Sequence, residues 1–183
     1  MATKKFSALS TGTTANAADK IPIERAGSNL YITPAMIATY VGGGGEGVLV
    51  HNSTDLSIPD ATQTLLTFNT EDYDDNGMHS TVTNTGRLTC VTTGRYLAHF
   101  TCQFANNATG NRYVGLFKNG ATPLDYDVKT AVNGLTTSMK VSAVVNLTAA
   151  DYVTVEAYQN SGGTLAISAV AAYTAYFSLQ QLP

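Results

Sequence analysis

Between Gly94 and Phe104 one phase of the chain is apolar and the other largely polar. Tyr96, Ala98, Phe100, Cys102 and Phe104 fall on one phase, and Arg95, Leu97, His99, Thr101 and Gln103 on the other. A β-strand turns successive side chains to opposite faces, so this run is a strand with one core face. The same period recurs in Met139, Val141, Ala143, Val145 and Leu147, and in Val153, Val155 and Ala157. Arg112 to Lys118 is apolar on both phases, with Tyr113, Gly115 and Phe117 on one and Val114 and Leu116 on the other. Turn formers punctuate these runs at Thr92-Thr-Gly94, Lys118-Asn-Gly120, Ala149-Ala-Asp151 and Ser161-Gly-Gly163. Short alternating strands separated by such turns predict an all-β sandwich or jelly roll from Val48 onward.

The first forty residues read differently. Met1 to Asp19 is a polar arm of small residues in which Phe6 and Leu9 are the sizeable apolar groups. Such a segment buries too little surface to offset its ordering entropy, so it is expected to be held by another chain. Ile21 and Ile23 alternate around Pro22, Gly27-Ser-Asn turns, and Leu30 to Ile32 forms a second short strand. Thr33 as N-cap and Pro34 at the first helical position then open one short helix with Met36, Ile37 and Tyr40 on a face. Four consecutive glycines begin the Gly42–Gly47 stretch, which reads as a linker. The predicted organisation is an attachment arm and module over 1–41, a linker over 42–47 and a head domain over 48–183.

Composition narrows the function. Charged residues make up 13% of the chain against 44% hydrophobic, a balance compatible with large contacts between subunits. Four basic residues stand against two acidic ones before Glu46, and six against eleven from there on. Neither half has the basic patch that phosphate neutralisation needs, so no nucleic-acid partner is expected. No apolar run is long enough to span a bilayer, and nothing resembles a signal peptide.

Candidate chemistry is sparse. Glu71, Asp72, Asp74 and Asp75 could supply oxygens to Ca²⁺, but their spacing departs from the EF-hand order and a solvated acidic loop is the preferred reading. His51, His79 and His99 are scattered, with no metal-binding or catalytic spacing. Asp125 and Asp127 share a strand face, as a glycosidase pair can, but two acids so placed are more often solvated, which is the preferred reading. No nucleophile elbow or phosphate loop is present. The chain is therefore expected to be no enzyme, with no catalytic residue, cofactor or metal. Cys90 and Cys102 lie on apolar phases; two buried thiols are preferred, while their spacing leaves a disulfide open.

Two resemblances sharpen the reading. The run Ile23-Glu-Arg-Ala-Gly followed by Tyr31-Ile-Thr-Pro-Ala-Met-Ile-Ala-Thr-Tyr-Val41 resembles a short N-terminal module of bacteriophage tail and fibre proteins. It implies attachment to a particle through Phe6, Leu9, Ile21, Ile23, Tyr31, Met36 and Ile37. From about residue 46 the order Gly94-Arg-Tyr, Lys118-Asn-Gly120, Asp151-Tyr-Val-Thr-Val and Tyr176-Phe-Ser is similar to the complement globular head and the tumour-necrosis-factor superfamily. One departure is Ala150, where that family usually has glycine; it leaves the strand trace intact.

The second resemblance implies a ten-stranded jelly roll assembling as a homotrimer, with Tyr96, Phe100, Phe104, Phe117 and Phe177 in its core. The final strand of such a head lies near the three-fold axis, which assigns Tyr176 to the trimer contact, with Tyr158 and Tyr152 as further interface candidates. Glycan stacking is the sharper alternative for these tyrosines. Together the resemblances imply a phage virion protein, assembled in the host cytoplasm and exposed on the particle. Its partners would be other virion proteins through residues 1–41 and a host-surface glycan or protein through the loops Glu71–Gly77 and Asn106–Asn111. A purely structural decoration or fibre protein is the alternative, and a glycan-degrading enzyme a weaker one.

Overall fold

The computed structural model describes residues 21–25, 28–32, 45–170 and 175–183, with side chains from Gly45 onward. The chain divides into two compact units, Met1–Gly44 and Gly45–Pro183. In the first, β1 (Ile21–Arg25) and β2 (Ser28–Ile32) pair antiparallel with Ile21 opposite Ile32 and Ile23 opposite Leu30. Ile21, Ile23 and Tyr31 thus lie in this hairpin; Phe6, Leu9, Met36, Ile37 and the expected short helix lie outside the described residues. There is no helix among the described residues.

The second unit contains β3 (Gly47–His51), β4 (Leu56–Ile58), β5 (Thr64–Leu65), β6 (Thr70–Asp74), β7 (Arg87–Thr89) and β8 (Gly94–Phe104). It continues with β9 (Asn111–Lys118), β10 (Thr122–Thr130), β11 (Thr137–Leu147), β12 (Tyr152–Gln159), β13 (Leu165–Ile167) and β14 (Tyr176–Gln181). One sheet runs β4-β13-β8-β14-β3-β6, with β11 added beside β8; the other runs β10-β9-β12-β5, with β7 also on β12. Every pairing in both sheets is antiparallel. The result is the expected all-β jelly-roll sandwich. It divides into twelve segments where ten strands are expected because short pieces such as β5 and β7 pair with successive parts of one strand, β12.

β8 is the central strand, flanked by β11 and β14 along most of its length. Its apolar phase, Tyr96, Ala98, Phe100, Cys102 and Phe104, is buried throughout. The rings of Phe68, Phe100 and Phe177 meet with centroids 5.5–6.4 Å apart, two of the three pairs edge-on, the arrangement favoured by aromatic quadrupoles. Val114 and Leu116 of β9 and Val153, Val155 and Ala157 of β12 close the core from the other sheet. Phe117 is a correction to the sequence reading: it is half-buried on the outer phase of β9. Both phases of that strand are apolar, so periodicity could not choose between them. The inner phase contains Arg112, Val114 and Leu116, all fully buried.

Candidate functional site

The head begins earlier than the glycine run suggests, and its first polar residue is a structural hub. Glu46 is 7% exposed. Its carboxylate accepts hydrogen bonds from the amides of Val91 (3.2 Å) and Thr92 (2.7 Å), from the Asn76 side chain (2.9 Å) and from the Tyr96 hydroxyl. Burial alone would raise its pKa, but these bonds outweigh it and hold the carboxyl down at about 2. The backbone joins in: the Gln180 side chain donates to the Gly45 carbonyl (2.8 Å) and the Gln181 amide to that of Glu46 (2.9 Å). A Cβ on Gly45 would sit 2.7 Å from the Gln181 carbonyl oxygen, so glycine is what lets the strand approach. Gly45 to Gly47, predicted as linker, are thus part of the head.

Glu46 also ties down the end of the acidic segment, which is no converging cluster. Residues 70–74 form β6, so Glu71 and Asp72 point to opposite sides. Glu71 meets His79 Nδ1 at 2.8 Å and Asp72 meets His51 Nδ1 at 2.9 Å. Asp74 accepts the amides of Asn76, Met78 and His79 at 2.8–3.3 Å, capping the turn that Gly77 completes at φ 69°. Asp75 is exposed. Among the described residues no three His, Cys, Asp or Glu side chains converge as a metal would need. Of the Ca²⁺ candidates, Glu71 and Asp72 therefore form local pairs, Asp74 forms a cap and Asp75 faces solvent.

That cap shapes the β6–β7 loop into a cleft of about 230 Å³ lined by Gly77, Met78, His79, Ser80, Thr83, Asn84, Arg87 and Thr89. His79 is one of its lining residues, and the ring itself is buried behind the cleft. It is fixed on one side by Glu71 and on the other by the Thr85 carbonyl at 3.1 Å. Ser80 Oγ accepts the amides of Val82 and Thr83, folding the loop tip. Arg87 also lines the cleft, and its guanidinium lies 4.2 Å from the centroid of the Tyr152 ring. The two residues are diagonal neighbours across the β7–β12 pairing, in which Tyr152 faces Thr89 and Thr154 faces Arg87. Arg87 has no carboxylate in ion-pair range among the described residues. No sequence motif marked it, because its meeting with Tyr152 depends on a pairing between strands far apart in the chain.

The three tyrosines expected at a trimer contact do not share a face. Tyr176 lies on the outer face of the seven-stranded sheet, opposite His51 of β3 and with its ring 5.6 Å from that imidazole. Tyr152 and Tyr158 lie on β12 in the other sheet, where Tyr158 stands opposite Tyr113, itself stacked on Tyr126 at 6.1 Å. One edge of the sandwich is distinctive. β10 and β11 run side by side there, the Asp125 carboxylate accepting the Ser142 amide (2.9 Å) and Lys129 Nζ donating to the Ser138 carbonyl (2.7 Å). Asp127 pairs with Lys129 at 3.2 Å. The Asp125 carboxylate therefore bridges this edge, and that of Asp127 pairs with Lys129, which bridges it too. Flanking the edge are exposed Tyr126, Val128, Val132, Leu135 and Val144, together with Leu97, which pairs directly with Val144.

The Asn106–Asn111 loop is held from beneath. Arg112 is fully buried, and its guanidinium donates to the carbonyls of Asn107, Thr109 and Asn111 at 2.9–3.2 Å. Burial lowers its pKa. Cys90 and Cys102 are both free and buried; burial raises both thiols, Cys102 strongly.

A family model of the C1q domain matches residues 49–178, well over half of the chain. Solved structures agree on the fold. The globular domain of zebrafish complement 1qA superposes with a TM-score of 0.57 at 17% identity, covering 75% of this chain and 98% of that one. Murine APRIL at pH 5.0 gives 0.57 at 14%, covering 75% and 99%. The Eiger tumour necrosis factor of S. frugiperda gives 0.54 at 15%, covering 76% and 94%. No curated protein sequence matches the chain. The jelly-roll sandwich and these superpositions define the fold class, the one shared by those complement and tumour-necrosis-factor structures. Within that class the chain belongs to the C1q domain family.

Proposed function

We propose that this chain is a non-enzymatic binding protein whose C1q-type head assembles as a homotrimer. The observation that carries the proposal is the apolar strip at the β10–β11 edge. Tyr126 and Val144 are 65% and 61% exposed, and Leu97, Val128, Val132 and Leu135 extend the strip. Large exposed apolar side chains gathered along one edge of the sandwich suit a contact with another protein. A closed three-fold ring would bury it if the edge of each copy packs on the outer face of the next copy's seven-stranded sheet, where Tyr176, His51 and His99 lie.

The finer reading is a phage virion protein, attached to its particle through residues 1–41 and presenting the head to the host surface. It is supported by the resemblance of residues 19–41 to the phage tail module and by the separation of the first unit from the head at Gly44. Mass spectrometry of purified particles from cells that encode the chain tests it: recovery of the chain supports the reading, and its absence from the particles refutes it. Competition then separates receptor binding from decoration. Excess full-length chain should slow adsorption of those particles to host cells; unchanged adsorption would favour a decoration role.

A further inference from the structure

We propose that the Arg87 cleft is a binding site for a carboxylate-bearing sugar. The proposal rests on the reading of the head as a binding module and names the ligand class for one of its surfaces.

Four observations converge on it. First, the cleft contains a cation available to an anion. The acids on the neighbouring elements are already engaged: Glu71 by His79, Asp74 by three backbone amides, Asp151 by Lys118, Asn119 and the Thr148 amide, and Glu156, the other diagonal neighbour of Arg87 on β12, by the Gln63 side chain. Second, the guanidinium is held over the Tyr152 ring, which limits its freedom while leaving its donors to point elsewhere. A pre-positioned planar fork is suited to a carboxylate, which it can bind with two parallel hydrogen bonds. Third, the rest of the lining suits a polyol. Ser80 and Thr83 contribute hydroxyls, and the Asn84 carboxamide makes no hydrogen bond among the described residues. Fourth, the volume of about 230 Å³ lies below the range of drug-sized pockets, so one sugar ring is a fitting occupant.

The loop is also built to keep this shape. The Asp74 cap, the Glu71–His79–Thr85 chain and the positive φ of Asn84 (53°) fix its backbone without using the Arg87 side chain. Arg87 can therefore be changed without removing the loop's own supports.

Saturation-transfer NMR on the full-length chain tests the site, with glucuronic acid and N-acetylneuraminic acid as probes and glucose as the neutral control. At least one acidic sugar should bind roughly tenfold more tightly than glucose, the effect of one charge-assisted pair. Arg87→Gln should remove that preference, and Arg87→Lys should restore part of it, since it keeps the charge and loses the fork. Thr83→Val, at an exposed loop position, should weaken binding several-fold and serves as the second variant if Arg87→Gln fails to fold. Three results would overturn the proposal. One is equal or absent binding of acidic and neutral sugars. Another is unchanged binding by a folded Arg87→Gln. The third is competition by N-acetylglutamate as strong as by the acidic sugar, which would make the cleft a site for acidic peptides. Sedimentation of the same samples keeps the two proposals apart: a trimer that binds no acidic sugar loses the ligand class and retains the assembly.

Discussion

The Tyr96 hydroxyl donates its hydrogen to the Glu46 carboxylate across fifty residues of chain. This bond joins the first turn of the head to its central strand. It lies in a buried network that also takes in the Val91 and Thr92 amides and Asn76. Buried polar networks are worth most when every member is satisfied, and the Glu46 carboxylate has four donors.

A pH dependence follows. Its four hydrogen bonds hold the Glu46 carboxyl down at about 2 in the folded chain, below its ordinary value of 4.5, so its folded-state pKa is depressed. Its contribution to stability is complete above about pH 4.5 and is lost as pH falls towards 2. Urea unfolding at neutral pH should show Glu46→Gln less stable by roughly 2 kcal/mol, since charge-assisted bonds to buried donors are lost. The same variant should lose less stability than the parent between pH 4.5 and 2.5. Equal acid sensitivity in the two proteins would remove Glu46 from the explanation.

Ala150 occupies the left-handed region at φ 76°, between the Thr148 and Asp151 partners of the β11–β12 turn. The departure from the family's usual glycine thus carries conformational strain without displacing the strands. Ala150→Gly should raise stability by about 1 kcal/mol, because a Cβ is disfavoured at positive φ by more than glycine costs in chain entropy. Thermal unfolding reads this directly, and a lower midpoint would contradict it.

Both thiols are buried and neither is bonded. Reactivity needs an exposed thiolate, and burial raises the pKa of each. Ellman's reagent should therefore react with neither cysteine in the folded chain and with both in denaturant. Prompt reaction in buffer would contradict the placement of Cys90 and Cys102.

Val144 stands opposite Leu97 on the outer phase of β11. Val144→Arg places a charge in the apolar strip without touching the core. It should convert the assembly to monomers while the thermal transition stays cooperative. An assembly that survives the substitution would move the contact to another surface.

How much of this was legible in the sequence depends on how local the cause is. The alternation in β8 was sufficient, because five apolar residues on one phase leave a single way to bury them. The Asn-Gly turn was equally plain: Asn119 and Gly120 both adopt positive φ, as the residue pair suggests. Phe117 was misread because β9 is apolar on both phases and only the facing sheet decides. Glu46 was hidden among glycines, whose composition reads as linker, whereas close approach to Gln181 requires them. The acidic segment looked like one cluster until its strand geometry sent alternate carboxylates to different histidines. Arg87 and Tyr152 could not be joined from spacing, since β7 and β12 are brought together by the sheet.

The central claim is the trimeric head, and sedimentation equilibrium of the full-length chain at micromolar concentration tests it most directly. Three copies of a 19.2 kDa chain should give a single species of about 58 kDa, with Val144→Arg near the mass of one chain. A parent protein that sediments as a 19.2 kDa monomer under those conditions would contradict the account.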